Sequence, residues 1–112
     1  MNKAITDVIN ERQRQVFGEG WTEAHDDKHS DGSLAQAACC YANIAATHSY
    51  LCSKEPIPEC IDYISLNPEC RWPRSWAKHW WKPTTPRRDL VKAAALLIAE
   101  IERLDRQTNE KS

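Results

Sequence analysis

Long apolar runs are missing from this chain. None approaches the roughly 18 to 20 residues that cross a bilayer, and the opening Met1-Asn-Lys-Ala-Ile-Thr-Asp7 carries no signal-peptide pattern, so no membrane partner and a cytoplasmic location are the expectation. A strong charge of either sign is missing too. With a net charge of −1 the chain lacks the basic excess that counterion-driven binding to duplex nucleic acid requires. Paired C-x-x-C spacing is absent although there are five cysteines, Cys39, Cys40, Cys52, Cys60 and Cys70, an odd number that suits free thiols rather than a disulfide framework or a zinc knuckle. Internal repeats and low-complexity tracts are absent as well. At 112 residues the chain reads as one domain with a modest core, residues 1–106, followed by a polar, frayed tail over 107–112.

Helical spacing dominates what is present. Ile5, Val8, Ile9, Arg12 and Val16 predict an amphipathic helix over 3–17, stopped by Gly18 and Gly20, with Glu11, Arg12, Arg14 and Gln15 on its polar face. Ser33 with Gln36 has the form of a capping box ahead of an alanine-rich second helix, which runs through Leu34, Ala37, Ala38, Tyr41, Ile44 and Ala45 to about His48. Thr85 as N-cap and Pro86 as first helical residue open a third helix, whose apolar face is Leu90, Val91, Ala94, Leu97, Ile98, Ile101 and Leu104. The expected fold is all-α or mostly α, with three main helices and two long functional loops. One stretch resists assignment: about 35 residues with Pro56, Pro58, Pro68 and Pro73, in which Ile61–Leu66 is the only apolar run.

Chemistry concentrates in two segments. Residues 19–32, Glu19-Gly-Trp-Thr-Glu-Ala-His-Asp-Asp-Lys-His-Ser-Asp-Gly32, gather one tryptophan, two histidines and three aspartates in what reads as a polar loop. Residues 71–88 hold four of the five tryptophans with six lysines and arginines and no acid. Trp72 and Trp76, at i, i+4, read as core. Trp80 and Trp81 are neighbours that must point in different directions, so at least one faces a pocket or a partner. Lys82, Arg87 and Arg88 crowd the entrance of the third helix, where unpaired N–H groups and the dipole favour an anion.

Metal chemistry finds less support. His25-x-x-x-His29 could set two imidazoles on one helical face, but Asp26 stands where a zinc-protease motif has glutamate, and no third ligand is near. The His25–Asp26 pair resembles that of metal phosphohydrolases, which need further ligands that only His48 and Asp89 offer. Glu11, Glu19, Glu23, Asp26, Asp27, Asp89 and Glu100 do not form the E-x-x-E and E-x-x-D pair of an all-α pyrophosphohydrolase. Glu102-Arg-Leu-Asp105 matches only the second half. Most of these acids read as surface charge, and no resident metal or cofactor is expected.

The pattern Glu11-Arg-Gln-Arg-Gln-Val16, Glu19-Gly-Trp-Thr22, His25-Asp-Asp-x-His29, Gly32-x-Leu-Ala35, Trp80-Trp-Lys-Pro83 and Arg87-Arg-Asp-Leu-Val-Lys-Ala93 through Arg106 resembles a family of small uncharacterised proteins encoded by bacteriophages and prophages. More distantly, Glu19-Gly-Trp, Asp26-Asp27, Lys28-His29 and Asp105-Arg106 are similar to the repeat domain of ryanodine receptors, though here the histidine lies closer to the Gly-Trp and the alanine-rich helix is additional. That resemblance implies a nucleotide or nucleotide-derived ligand. Together these features predict a pocket near the starts of the second and third helices. There a base would stack on Trp21 or Trp81 beside Trp80, with His25 and His29 in the same cavity. Asp26 or Asp27 would bond ribose hydroxyls, and Lys82, Arg87 and Arg88 would hold phosphates. For a phage protein this would sequester or sense a host signal. Two other classes stay open: a metal-dependent nucleotide hydrolase using His25, His29 and the acids, and an inhibitor of a host protein anchored by its indoles. A homodimer is also expected, because exposed aromatic patches are usually covered.

Overall fold

Four α-helices and one 3₁₀ turn make up the fold, with no strand among the described residues: α1 (Lys3–Gly18), α2 (Glu23–Asp27), α3 (Ser33–Cys52), the turn Lys78–Trp80, and α4 (Pro86–Lys111). The structure, a computed structural model, describes residues 2–52 and 72–111. The proline-rich connection with Pro56, Pro58, Pro68 and Ile61–Leu66 lies outside the described residues, as do Cys60 and Cys70. No described helix is long and apolar enough to cross a membrane. Cys39 and Cys40 are free thiols.

Local signals account for the helix ends. Asn2 caps α1 by accepting the Ile5 N–H at 2.9 Å. Gly20, at φ +74°, then turns the chain back, so that the Trp21 N–H donates to the Gln15 carbonyl at 2.9 Å. The start of α4 is as the Thr85-Pro86 pair predicts: Thr85 Oγ1 accepts the Arg88 N–H at 3.2 Å. Asp89 reinforces it by accepting the Thr84 N–H at 2.9 Å. At α3 the cap is Asp31 rather than Ser33, its Oδ1 accepting the Ser33 N–H at 3.1 Å while Gly32 takes φ +81°. Two helices outrun their expected ends: α3 continues past His48 to Cys52, and α4 runs through the expected tail to Lys111, since neither segment holds a glycine or proline to stop it.

The main core lies between α3 and α4, and it is built from alanine. Ala37, Ala38 and Ala45 of α3 and Ala93, Ala95 and Ala99 of α4 are buried, with Leu34 and Leu96 filling the interface. Small side chains let two helices approach closely, and each buried leucine adds about 1.5–3 kcal/mol. This packing overturns the expected orientation of two helices. On α4 the core face is Val91, Ala93, Ala95, Leu96 and Ala99, while Leu90, Leu97, Ile101 and Leu104 stand exposed. The alanine face fits the alanine face of α3, which the bulky row would hold apart. On α1 the buried side chains are Glu11 and Gln15, and Ile5 and Ile9 face outward. The polar face of α1 points inward because cationic partners await it there.

Candidate functional site

Those partners define a cavity of about 330 Å³, bounded by α1, Tyr41 of α3, the indole segment and the first turns of α4. Its floor is polar. The Glu11 carboxylate, with no exposed surface, accepts two hydrogen bonds from Arg14, at 2.7 and 2.8 Å, another from Gln15 Nε2 at 3.2 Å, and one from Arg88. Burial works to raise the Glu11 pKa, but the bonds and charge of Arg14, with the charge of Arg88, carry it below the ordinary glutamate value. Arg14 reaches Glu19 as well, at 3.0 Å.

Because a carboxylate only accepts, the Gln15 amide is oriented with its nitrogen toward Glu11. Its oxygen is then left buried with no hydrogen-bond partner. Tyr41 pins the opposite wall: its hydroxyl donates to the Trp80 carbonyl at 3.2 Å and accepts the Lys82 N–H at 3.1 Å. Burial pushes that phenol up to about 12. Lys92 extends across the Tyr41 ring, 5.4 Å from its centroid, and donates to the Lys82 carbonyl at 2.6 Å. Burial lowers the Lys92 pKa against the opposing charge of Asp89. Lys82, Thr84, Trp21 and Trp80 complete the lining. Four cationic side chains, Arg14, Lys82, Arg88 and Lys92, therefore meet two carboxylates, an excess of two positive charges.

Of the ten expected site residues, Trp21, Trp80, Lys82 and Arg88 line this cavity. The others are placed elsewhere. Residues 23–27 form a helix rather than a loop, capped by Thr22, whose Oγ1 accepts the His25 N–H. Asp26 is fully buried and bonds Arg12 at 2.7 Å, and it does not line this cavity. Asp27 pairs with Arg106 at 2.8 Å on another face. His25 lies parallel to the Trp21 indole and offset from it, centroids 5.7 Å apart and planes within 2°. Trp76 and Trp80 approach the same indole at 5.4 and 6.0 Å. His29 sits 3.4 Å from His25, nitrogen to nitrogen, and against Trp76; burial, then the nearby His25, lowers its pKa. Arg87 turns outward to Asp7 at 2.9 Å. Trp81 faces a separate, broader trough of about 840 Å³ with Trp72 and Trp76, both buried as expected. The adjacent indoles Trp80 and Trp81 do point into different spaces.

Of the seven acids, most of which read as surface charge, Glu11, Asp26 and Asp89 are buried. Among the described residues no group of three or more histidines, cysteines or acids is placed to hold a metal ion. Glu11, Arg14, Gln15, Tyr41 and Lys92 were not among the expected site residues. The available signals were faint: the i, i+3 spacing of Glu11 with Arg14, and Lys92 one turn beyond Arg88. Comparison with known proteins adds no relative: no family model, curated protein or solved structure matches the chain.

Proposed function

We propose that the chain binds a small phosphorylated, nucleotide-like ligand in the cavity between α1 and the entrance of α4, sequestering or sensing it. The observation that carries this reading is an excess of cationic side chains in one aromatic-walled space. Cations at the mouth suit phosphate oxygens, and the Trp80 indole suits a planar group. The reading is of binding without cleavage, because both carboxylates in the cavity are already bonded, Glu11 by Arg14, Arg88 and Gln15, and Glu19 by Arg14. Its resemblance to phage-encoded proteins supports a role in countering host signalling. Titration calorimetry with nucleoside monophosphates, dinucleotides and inorganic pyrophosphate tests it, on the wild type and on Lys82→Gln combined with Lys92→Gln. Saturable binding is expected, with each lost charge-assisted bond costing about 1.5–3 kcal/mol, an affinity loss of about tenfold or more. Equal binding by the double variant, or none of these compounds binding the wild type, refutes the reading.

A further inference from the structure

All the large apolar side chains that remain exposed among the described residues belong to α1 or α4. On α4 they form a regular row. Leu90, the half-buried Ala94, Leu97, Ile101 and Leu104 follow one another in steps of four, three, four and three, the seam spacing of a coiled coil. At about 1.5 Å per residue the row extends roughly 21 Å along the helix. Leu97 is 46% exposed and Ile101 57%, so nothing among the described residues covers the row. A seam of this spacing is complementary to another helix that repeats it, and α4 is such a helix.

We propose that the chain forms a two-fold symmetric dimer in which α4 packs antiparallel against α4 of a second copy. Charge selects the direction. The first turn of α4 carries Arg87 and the positive end of the helix dipole, whereas its exposed late positions include Glu102 and Asp105. A parallel pair would bring two positive ends together, while an antiparallel pair sets Arg87, which also bonds Asp7 of its own chain, near the partner's Asp105. Volume agrees with charge. In this register Leu90 faces the partner's Ile101, and Ala94 faces the partner's Leu97, a small side chain opposite a large one, repeated on both sides of the axis. Such a contact is isologous, so it closes at two copies and does not propagate. It stands apart from the anion cavity and holds or fails independently of the ligand.

Native mass spectrometry and light scattering of the full chain at micromolar concentration test the proposal. The expected result is a particle of two chains of 12.9 kDa each. Leu97→Glu with Ile101→Glu should run as a single chain with unchanged circular dichroism, since both side chains already face water. Arg87→Glu should weaken the dimer by about tenfold, and adding Asp105→Arg should restore it. A single-chain mass for the wild type, or a dimer that survives the paired glutamates, overturns the proposal. Should the paired glutamates lower the helix content, the charge exchange decides alone, and failure of Asp105→Arg to rescue Arg87→Glu overturns it.

Discussion

The turn around α2 and the approach to α4 are both built from charged and aromatic side chains, but they dispose of their charge differently. Around α2 the charges are answered from within the chain: Asp26 by Arg12, Asp27 by Arg106, and Asp31 by the Ser33 N–H and the Ser75 hydroxyl. The histidines are absorbed by the indole cluster. Along the approach to α4, the anions in reach are too few for the cations, and Lys82, Arg88 and Lys92 keep a positive excess around an open space. A polar, aromatic segment can therefore serve as a clasp or as a receptor. What separates the two is whether its charges have partners of opposite sign within reach.

The largest test of this contrast is Asp26→Ala. It takes the buried partner from the Arg12 guanidinium, which still has the exposed Glu102 at 3.2 Å, so the loss should be about 3 kcal/mol, the low end for breaking a buried pair. Lys82→Gln, at an exposed site, should shift stability by no more than about 0.5 kcal/mol in the same urea titration. Comparable losses from both would erase the distinction.

A middle-sized effect is expected at Glu11, where the cationic side acts as a clasp. Its folded pKa is lowered, so its contribution is fully present above the ordinary value of 4.5 and is lost as pH falls through the folded value. Glu11→Gln should flatten the acid limb of the stability profile. At neutral pH it should cost about 1–3 kcal/mol, since Arg14 and Arg88 lose a charged acceptor. An acid limb that survives the substitution would assign the dependence to another carboxylate. A smaller effect than at Glu11 belongs to Asp27→Asn, which removes a half-exposed ion pair with Arg106 and should cost under about 1 kcal/mol by thermal melting. A loss as large as that at Asp26 would show that exposure does not rank the clasps.

Some of this was legible in the chain. The opening of α4 could be read from Thr85 and Pro86 because an N-cap is a contact between residues three apart, and the burial of Trp72 and Trp76 followed from their size and spacing. Orientation was not legible. Periodicity marks two faces of a helix without saying which turns inward, and on α1 that choice rests on Arg88, which lies 77 residues from Glu11. The five residues of α2 are too few to show a period. Asp26 gave no sign of burial because its partner Arg12 sits on the preceding helix. The cavity was legible only in half, since Trp21, Trp80, Lys82 and Arg88 come from the two segments rich in charge and indole, while Glu11, Gln15, Tyr41 and Lys92 come from α1, α3 and α4.

The alanine contact between α3 and α4 carries a consequence for evolution at the cavity. Tyr41 stands on one of these helices and Leu96 and Lys92 on the other, so the gap between opposite walls is gauged by the methyl groups of Ala37, Ala38, Ala93 and Ala99. Widening the space for a bulkier ligand needs no change in any lining residue: a valine at one of these positions would wedge the helices apart, and the walls would part with them. On the proposed binding role, selectivity for ligand size would thus drift through alanines that do not line the cavity.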